Sequence, residues 1–157
     1  MIEAIVAAGR DWGIGKNGTQ PVVLHADRAH FKRVTEGKTV IVGRKTLADL
    51  PGGKPLKGRS TIVITRQELE IPGGEVAHSP GDAYKKCPDA VVIGGAGVYR
   101  DFFKLLDRIF VTKIDLRPES DSFFPNLDAA EEWKITDEGE ELCEDGISFR
   151  FLVYERK

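Results

Sequence analysis

The sequence predicts an α/β fold: one mainly parallel central sheet of about eight strands, an antiparallel C-terminal edge and flanking helices. Three observations predict it. Apolar runs of strand length alternate with helix-like stretches through the first two thirds of the chain, as crossover connections in a parallel sheet require. Those runs are continuously apolar, as buried strands are. Over the last third, strand-like stretches follow one another with no helix between them, which suits antiparallel neighbours.

The elements come in a clear order. IEAIVAA at 2–8 is an apolar run ending at Gly9 and reads as a buried strand. A loop follows, GRDWGIGKNGTQP at 9–21, whose Gly13, Gly15 and Gly18 give it conformational freedom. Residues 24–36 read as a helix with Gly37 as its stop. TVIVG (39–43) is a second strand, and RKTLADL (44–50) is a short helix closed by Pro51-Gly52-Gly53. STIVIT (60–65) is a third strand. Ser79 and Pro80 open a further helix, Ser as cap and Pro in the first turn, with Asp82 near the positive end of the dipole. AVVIGG (90–95) is a strand, GVYRDFFKLL (97–106) a helix and RIFVTKID (108–115) a strand. WKIT and ISFRFLVYE then form an antiparallel pair. The whole, residues 1–157, reads as one domain.

Composition excludes several classes of function. The chain is 41% hydrophobic and 31% charged, with formal net charge −2, so bulk charge offers no argument for nucleic acid or an anionic membrane. No apolar run approaches the roughly 20 residues of a membrane span. MIEAIVAAG carries Glu3, lacks a basic leader and runs straight into a strand, so it does not read as a signal peptide. Cys87 and Cys143 are far apart and belong to no CxxC or Cys/His cluster. The expectation is a reduced, cytoplasmic protein without a metal site. The acidic stretch at 131–145 reads as a solvated surface.

Three signals carry chemistry. In AVVIGGAGVY (90–99) an apolar strand runs into Gly94-Gly95-Ala96-Gly97 before a helix. Small residues there permit a ligand to approach the backbone, and a helix N-terminus favours phosphate. A tight turn needing Gly for its dihedrals alone explains the stretch as well. In VIVGRKT, Arg44 and Lys45 stand at a helix start, where cations are electrostatically misplaced unless an anion binds. Arg66 follows the end of STIVIT. Basic residues at parallel strand ends, with no acid for a ribose 2′-hydroxyl, suit NADP rather than NAD. Finally, Leu24, Asp27, Phe31 and Val34 form one inward stripe, with His30, Lys32 and Arg33 expected elsewhere. An acid in a first turn complements the dipole, and that suffices for the helix taken alone. The alternative is a carboxylate in an apolar pocket awaiting a cationic or amide-like ligand.

Together these stretches resemble the dihydrofolate reductase family. The resemblance runs through IVAA, WGIGKNG, the AD and FKR of the first helix, VIVGRKT, PLKGRSTIVITR, VIGGAGVY, VTKID and DSFFP at 121–125. It implies NADPH-dependent reduction of 7,8-dihydrofolate to tetrahydrofolate, with hydride passing to pterin C6 and a proton to N5 through water. On matching positions it implies that Asp27, supported by Thr112, binds the pterin's 2-amino group and N3. Ile5, Val6, Phe31, Leu50, Leu56 and Ile93 would line the substrate, and Arg59 would grip its glutamate carboxylate. Ala7, Ile14, Gly43, Arg44, Lys45, Thr46, Thr65 and Arg66 would serve the cofactor. So would the turn Gly94, Gly95, Ala96, Gly97, Val98 and Tyr99, with a cis bond between its two glycines. The 9–23 loop would be a water-excluding lid, and the family's usual state is a monomer.

The chain departs from the family's PWxLPxD pattern, with Val22 in place of Trp and His25 in place of Pro. Gly97 stands where some members carry Arg. A reductase of the same fold acting on a riboflavin-pathway pyrimidine is the nearest alternative, and Asp27, Arg59 and DSFFP argue against it. A nucleotide-binding relative without catalysis is the other. The intact Asp27, lid loop and VIGGAGVY argue against that one.

Overall fold

The computed structural model describes residues 1–16, 20 and 22–157. Residues 17–19 and 21 of the expected lid loop therefore lie outside the described residues. β-Branched, apolar runs form the central strands, because their side chains fill both faces of a covered sheet. β1 (Ile2–Ala8), β3 (Thr39–Gly43), β4 (Ser60–Ile64) and β6 (Ala90–Gly94) are the buried parallel strands expected from the sequence. Val40, Ile41, Val42, Val91 and Val92 are wholly excluded from solvent.

Between them run α1 (His25–Thr35), α2 (Arg44–Asp49), α3 (Pro80–Lys86) and α4 (Ala96–Phe102). α3 starts as its sequence indicates: the Ser79 hydroxyl accepts the Asp82 backbone N–H at 3.1 Å, and Pro80 occupies the first turn. α4 is shorter than expected. It gives way to a 3-10 turn over Phe103–Leu105, and Leu106 already opens β7 (Leu106–Ile114).

The sheet order is β5-β4-β3-β6-β1-β7-β11, where β5 is Glu75–Ala77 and β11 is Ile147–Arg156. β9 (Trp133–Glu138) and β10 (Leu142–Glu144) both pair with β11, so nine strands fill eight positions. All pairs from β5 to β7 are parallel, and β11 is antiparallel to its neighbours. The expected architecture is therefore present. β5 and β10, three residues each, carry too little periodicity to be anticipated.

The loop after β1 also contains structure not anticipated. β2 (Gly13–Gly15) pairs with β8 (Ser122–Phe123) in a separate two-stranded sheet. Trp12 N–H bonds Gly9 carbonyl, and Phe124 N–H bonds Trp12 carbonyl. Trp12 is 3% exposed and packs against Phe124 and Tyr154, with the Lys113 ammonium over its ring. The first half of the expected lid loop is thus pinned to the 120s segment by backbone pairing.

The connections set the cleft. From β1 the chain crosses through α1 to β3, on one side of β1. From β6 it crosses through α4 to β7, on the other. β1 and β6 are neighbours whose connections diverge, so a crevice opens outside their carboxyl ends.

α4 is held under that crevice by Phe102, which is fully buried in the main core with Ile2, Leu106 and Ile109. Phe102→Ala is expected to lower unfolding stability by about 3–5 kcal/mol, read from denaturant titration.

Candidate active site

The cleft at the β1/β6 switch point has a volume of about 510 Å³. Its inner wall comes from β1, whose Ile5, Val6 and Ala7 lie opposite Phe110, Val111 and Thr112 of β7. Asp27 and Phe31 of α1 supply one side. Ile93 and the glycine turn after β6 supply the other, with Gly43, Arg44, Lys45 and Thr46 beyond. Ile14, Ala96, Gly97, Val98 and Tyr99 complete most of the lining.

Asp27 reaches the cleft because the start of α1 is tied down. Leu24, the N-cap residue, has no side chain able to cap the helix. It is 2% exposed and buried against Ile114 and Phe149, fixing the entry of the chain. The first N–H groups of the helix go to a distant carboxylate. His25 N–H donates to Glu144 Oε2 at 2.7 Å, and Ala26 N–H to Oε1 at 2.9 Å. One turn is then fixed, and Asp27 points at β7. There Thr112, wholly buried, donates its hydroxyl to Asp27 Oδ1 at 2.5 Å.

Burial raises the Asp27 pKa above its ordinary value of 3.8; the Thr112 hydrogen bond, the nearby His30 and a Gln20 hydrogen bond oppose it. The Glu144 charge adds to the rise. Desolvation wins because the apolar wall strips water from a carboxylate with few donors. His30 corrects an expectation. It lies on the inward side, half-buried and stacked on Phe151 at 4.1 Å between ring centroids. Burial lowers its pKa, and its Nε2 is buried with no hydrogen-bond partner among the described residues.

The glycine turns at the ends of β3 and β6 pack on one another. The Gly94–Gly95 peptide bond is cis, and Gly94 has φ 125°. A Cβ on Gly43 would stand 2.9 Å from Val98 Cγ2, and one on Gly95 would stand 3.0 Å from Thr46 Oγ1. A side chain at Gly43 would make Val98 shift, and one at Gly95 would press on the Thr46 hydroxyl. Tyr99 sits beneath, 6% exposed, donating its hydroxyl to the Ile5 carbonyl at 2.6 Å. Burial pushes its pKa far up, so it remains a neutral donor. That bond joins α4 to β1 across the floor.

Other anticipated residues lie outside the lining. Thr112 stands behind Asp27. Leu50 packs with Val42, Leu47 and Val63, just before a chain reversal at Gly52 and Gly53, both with positive φ. Leu56 is half-buried on the following loop. Arg59 hydrogen-bonds the Lys57 carbonyl and the Thr35 hydroxyl at 2.9 and 3.3 Å, at the far end of α1. Thr65 bonds through its carbonyl to His78, and Arg66 is exposed beyond it. Conversely, Gly15, Gln20 and Ser122 line the cleft and were not anticipated. The Gly15–Ser122 pairing places two of them, and neither lies on an element long enough to show a period. Val22, the departure at the family's Trp, packs beside Leu24 and Ile114.

Asp27 carries a sign that can be measured. With its native pKa raised, the folded state binds a proton more readily than the unfolded chain. Its contribution to stability is therefore unfavourable above the raised value and fades as pH falls toward 3.8. Asp27→Asn keeps an acceptor for Thr112 and removes the charge. Its melting temperature is expected to exceed the parent's at neutral pH, with the gap narrowing in acid, as followed by thermal denaturation at several pH values.

Comparison with known proteins agrees with this geometry. The sequence model of the dihydrofolate reductase family matches residues 1–156. The chain is 36% identical to the dihydrofolate reductase of Bacillus subtilis over 163 residues, covering 100% of this chain and 95% of that protein. It is 38% identical to that of Neisseria meningitidis serogroup A over 160 residues, covering 99% and 98%. For the enzyme of Rattus norvegicus the figures are 38% over 183 residues, 99% and 97%. Among solved structures, the dihydrofolate reductase of Enterococcus faecalis complexed with NADP(H) and RAB-propyl superposes with a TM-score of 0.90 at 28% identity, covering 100% of this chain and 96% of that one. With the family model, the relatives and the fold in agreement along its whole length, the chain belongs to the dihydrofolate reductase family.

Proposed function

We propose that this chain reduces 7,8-dihydrofolate to 5,6,7,8-tetrahydrofolate with NADPH. The observation that carries the reading is a desolvated Asp27 held by Thr112 at the inner end of the cleft, facing a double-glycine turn. A carboxylate in that position suits a planar ligand edge with two donors, such as the pterin's 2-amino group and N3. Thr112 occupies one carboxylate oxygen and so fixes the plane in which the ligand pairs. The negative charge favours substrate protonated at N5, which makes C6 a better hydride acceptor. The proton itself reaches N5 through water. Ile5, Val6, Phe31 and Ile93 form apolar walls that keep bulk water from the reacting edge. On the rim, Leu50, Leu56 and Arg59 serve the benzoyl-glutamate end, Arg59 turning from Thr35 to a carboxylate.

The residues beyond fit a dinucleotide. Glycine at 43 and 95 leaves bare backbone, and space beside Gly97 is open. Arg44 and Lys45 supply cations at the start of α2. NADPH, when bound, supplies the hydride. Ala7 and Ile14 flank the reduced ring, and Gly43, Gly94, Gly95, Ala96, Gly97, Val98 and Tyr99 back its pyrophosphate. Arg44, Lys45, Thr46, Thr65 and Arg66 hold the adenosine phosphates. The Enterococcus faecalis relative, complexed with NADP(H), supports the choice of cofactor. In this reading residues 1–157 act as one domain, monomeric and cytoplasmic. No helix among the described residues is long and apolar enough to cross a membrane.

The test is turnover. Mixing protein, NADPH and dihydrofolate is expected to bleach the reduced nicotinamide absorbance. Asp27→Asn is expected to slow hydride transfer roughly 10²- to 10⁴-fold at neutral pH, with partial recovery in acid, where substrate arrives protonated. Unchanged turnover in that variant removes Asp27 from the mechanism. Turnover of a riboflavin-pathway pyrimidine instead of dihydrofolate overturns the substrate assignment.

Cofactor choice gives a separate check. Arg44→Ala is expected to raise the NADPH KM about tenfold, the worth of one charge-assisted hydrogen bond. The NADH KM is expected to stay unchanged; an equal effect on both would contradict a 2′-phosphate contact.

A further inference from the structure

We propose that Glu144, on the far edge of the sheet, is a positioning residue that clamps the first turn of α1 and so sets the placement of Asp27. The proposal rests on the reading of Asp27 as the substrate-recognising acid.

The clamp is built from three features. First, α1 opens on Leu24 and has no side-chain cap of its own. Its first N–H groups need acceptors, and the N-cap side chain supplies none. Second, Glu144 lies 119 and 118 residues away from its two donors and gives each carboxylate oxygen to one of them. Two parallel N–H···O bonds fix a carboxylate in rotation as well as position. Third, Glu144 sits on a stiff hairpin. Asp145 and Gly146 have φ of 51° and 78°, the doubly positive pair of a tight Asp-Gly hairpin turn. Glu144 pairs with Ile147 in register, and Ile147 packs in the cluster that buries Leu24. The hairpin thus grips the helix start by both a polar and an apolar contact.

The departure at position 25 belongs to this clamp. His25 contributes a backbone N–H, the shorter of the two bonds, which a proline there could not provide. Ala26, the second donor, precedes Asp27 directly. A loosened first turn therefore moves Asp27 relative to Thr112 before it disturbs anything else.

Glu144 also bears charge toward Asp27. The groups facing Asp27 are the Thr112 hydroxyl from β7, His30 one turn along α1, Gln20 from the preceding loop and Glu144 from β10. Glu144 is the acid of that set. Its own partners are the two backbone N–H groups and the His25 ring, which hold its pKa below the ordinary carboxylate range. It consequently stays ionised at neutral pH and disfavours a second negative charge at Asp27.

A double-mutant cycle on the full chain tests this. Glu144→Ala and His25→Pro are assayed singly and together, alongside Glu144→Gln and Asp27→Asn. Proline is well tolerated in a first helical turn, so His25→Pro removes one donor without breaking α1. Glu144→Ala is expected to raise the dihydrofolate KM roughly threefold to tenfold, the scale of a lost helix cap. NADPH affinity is expected to hold, which a general loss of folding would not allow. In the Glu144→Ala background, His25→Pro is expected to add nothing further. Glu144→Gln keeps one acceptor oxygen, sets its NH2 against the second backbone N–H and loses the charge. It is expected to give a KM between the parent's and that of Glu144→Ala, while the pH at which turnover falls off moves downward. Additive single effects, or a wild-type KM and pH profile in Glu144→Ala, overturn the clamp. If Asp27→Asn retains full activity, the underlying reading of Asp27 falls instead.

Discussion

The hydrogen bond from Thr112 to Asp27 joins the two halves of the site, because it fastens a helix to the strand behind the cleft. Thr112 belongs to β7, whose register with β1 sets Ala7 beside it. β1 in turn lies parallel to β6 and its glycine turn. A carboxylate on α1 thereby takes its position from the central strands rather than from a loop. The bond also sets the electrostatics. A single hydroxyl is a modest donor, so burial still outweighs it and the acid stays poised above its ordinary range.

The cofactor side depends on a different constraint, steric rather than electrostatic. Neighbouring parallel strands are only about 4.8 Å apart, and β3 and β6 end side by side. Their turns touch, with Val98 against Gly43 and Thr46 against Gly95. Side chains there would press on Val98 and the Thr46 hydroxyl and cover the backbone that the proposed dinucleotide would approach. The same crowding buries Tyr99, whose hydroxyl returns to β1. Floor and inner wall are therefore one packed unit, and the cations of α2 stand at its outer end.

Much of this was legible in the sequence for a physical reason. Short apolar runs bounded by glycine and polar residues read as buried strands, and they placed β1, β3, β4 and β6. The 24–27–31–34 spacing put Asp27 on the inward face. That same stripe concealed His30, because the helix buries a wider face than one row, and its second row meets Phe151. β2, β5, β8 and β10 span only two or three residues each, too short for any period, and they exist through their partners. Gly15 and Ser122 entered the cleft by such a pairing. Leu50 packs with Val42, Leu47 and Val63, beside a chain reversal whose positive-φ glycines the sequence shows but whose direction it does not. Glu144 was hidden most thoroughly. It lies in a stretch that reads as solvated acid, and its role arises from contact with residues more than a hundred positions away.

Asp27 is a desolvated acid steadied by Thr112. Carbon-13 NMR titration of the Asp27 carboxyl, in the parent and in Thr112→Val, measures that directly. The expected result is a pKa above 3.8 in the parent and a further rise once the hydroxyl is gone. An ordinary value in the parent, or no change on removing Thr112, would contradict it.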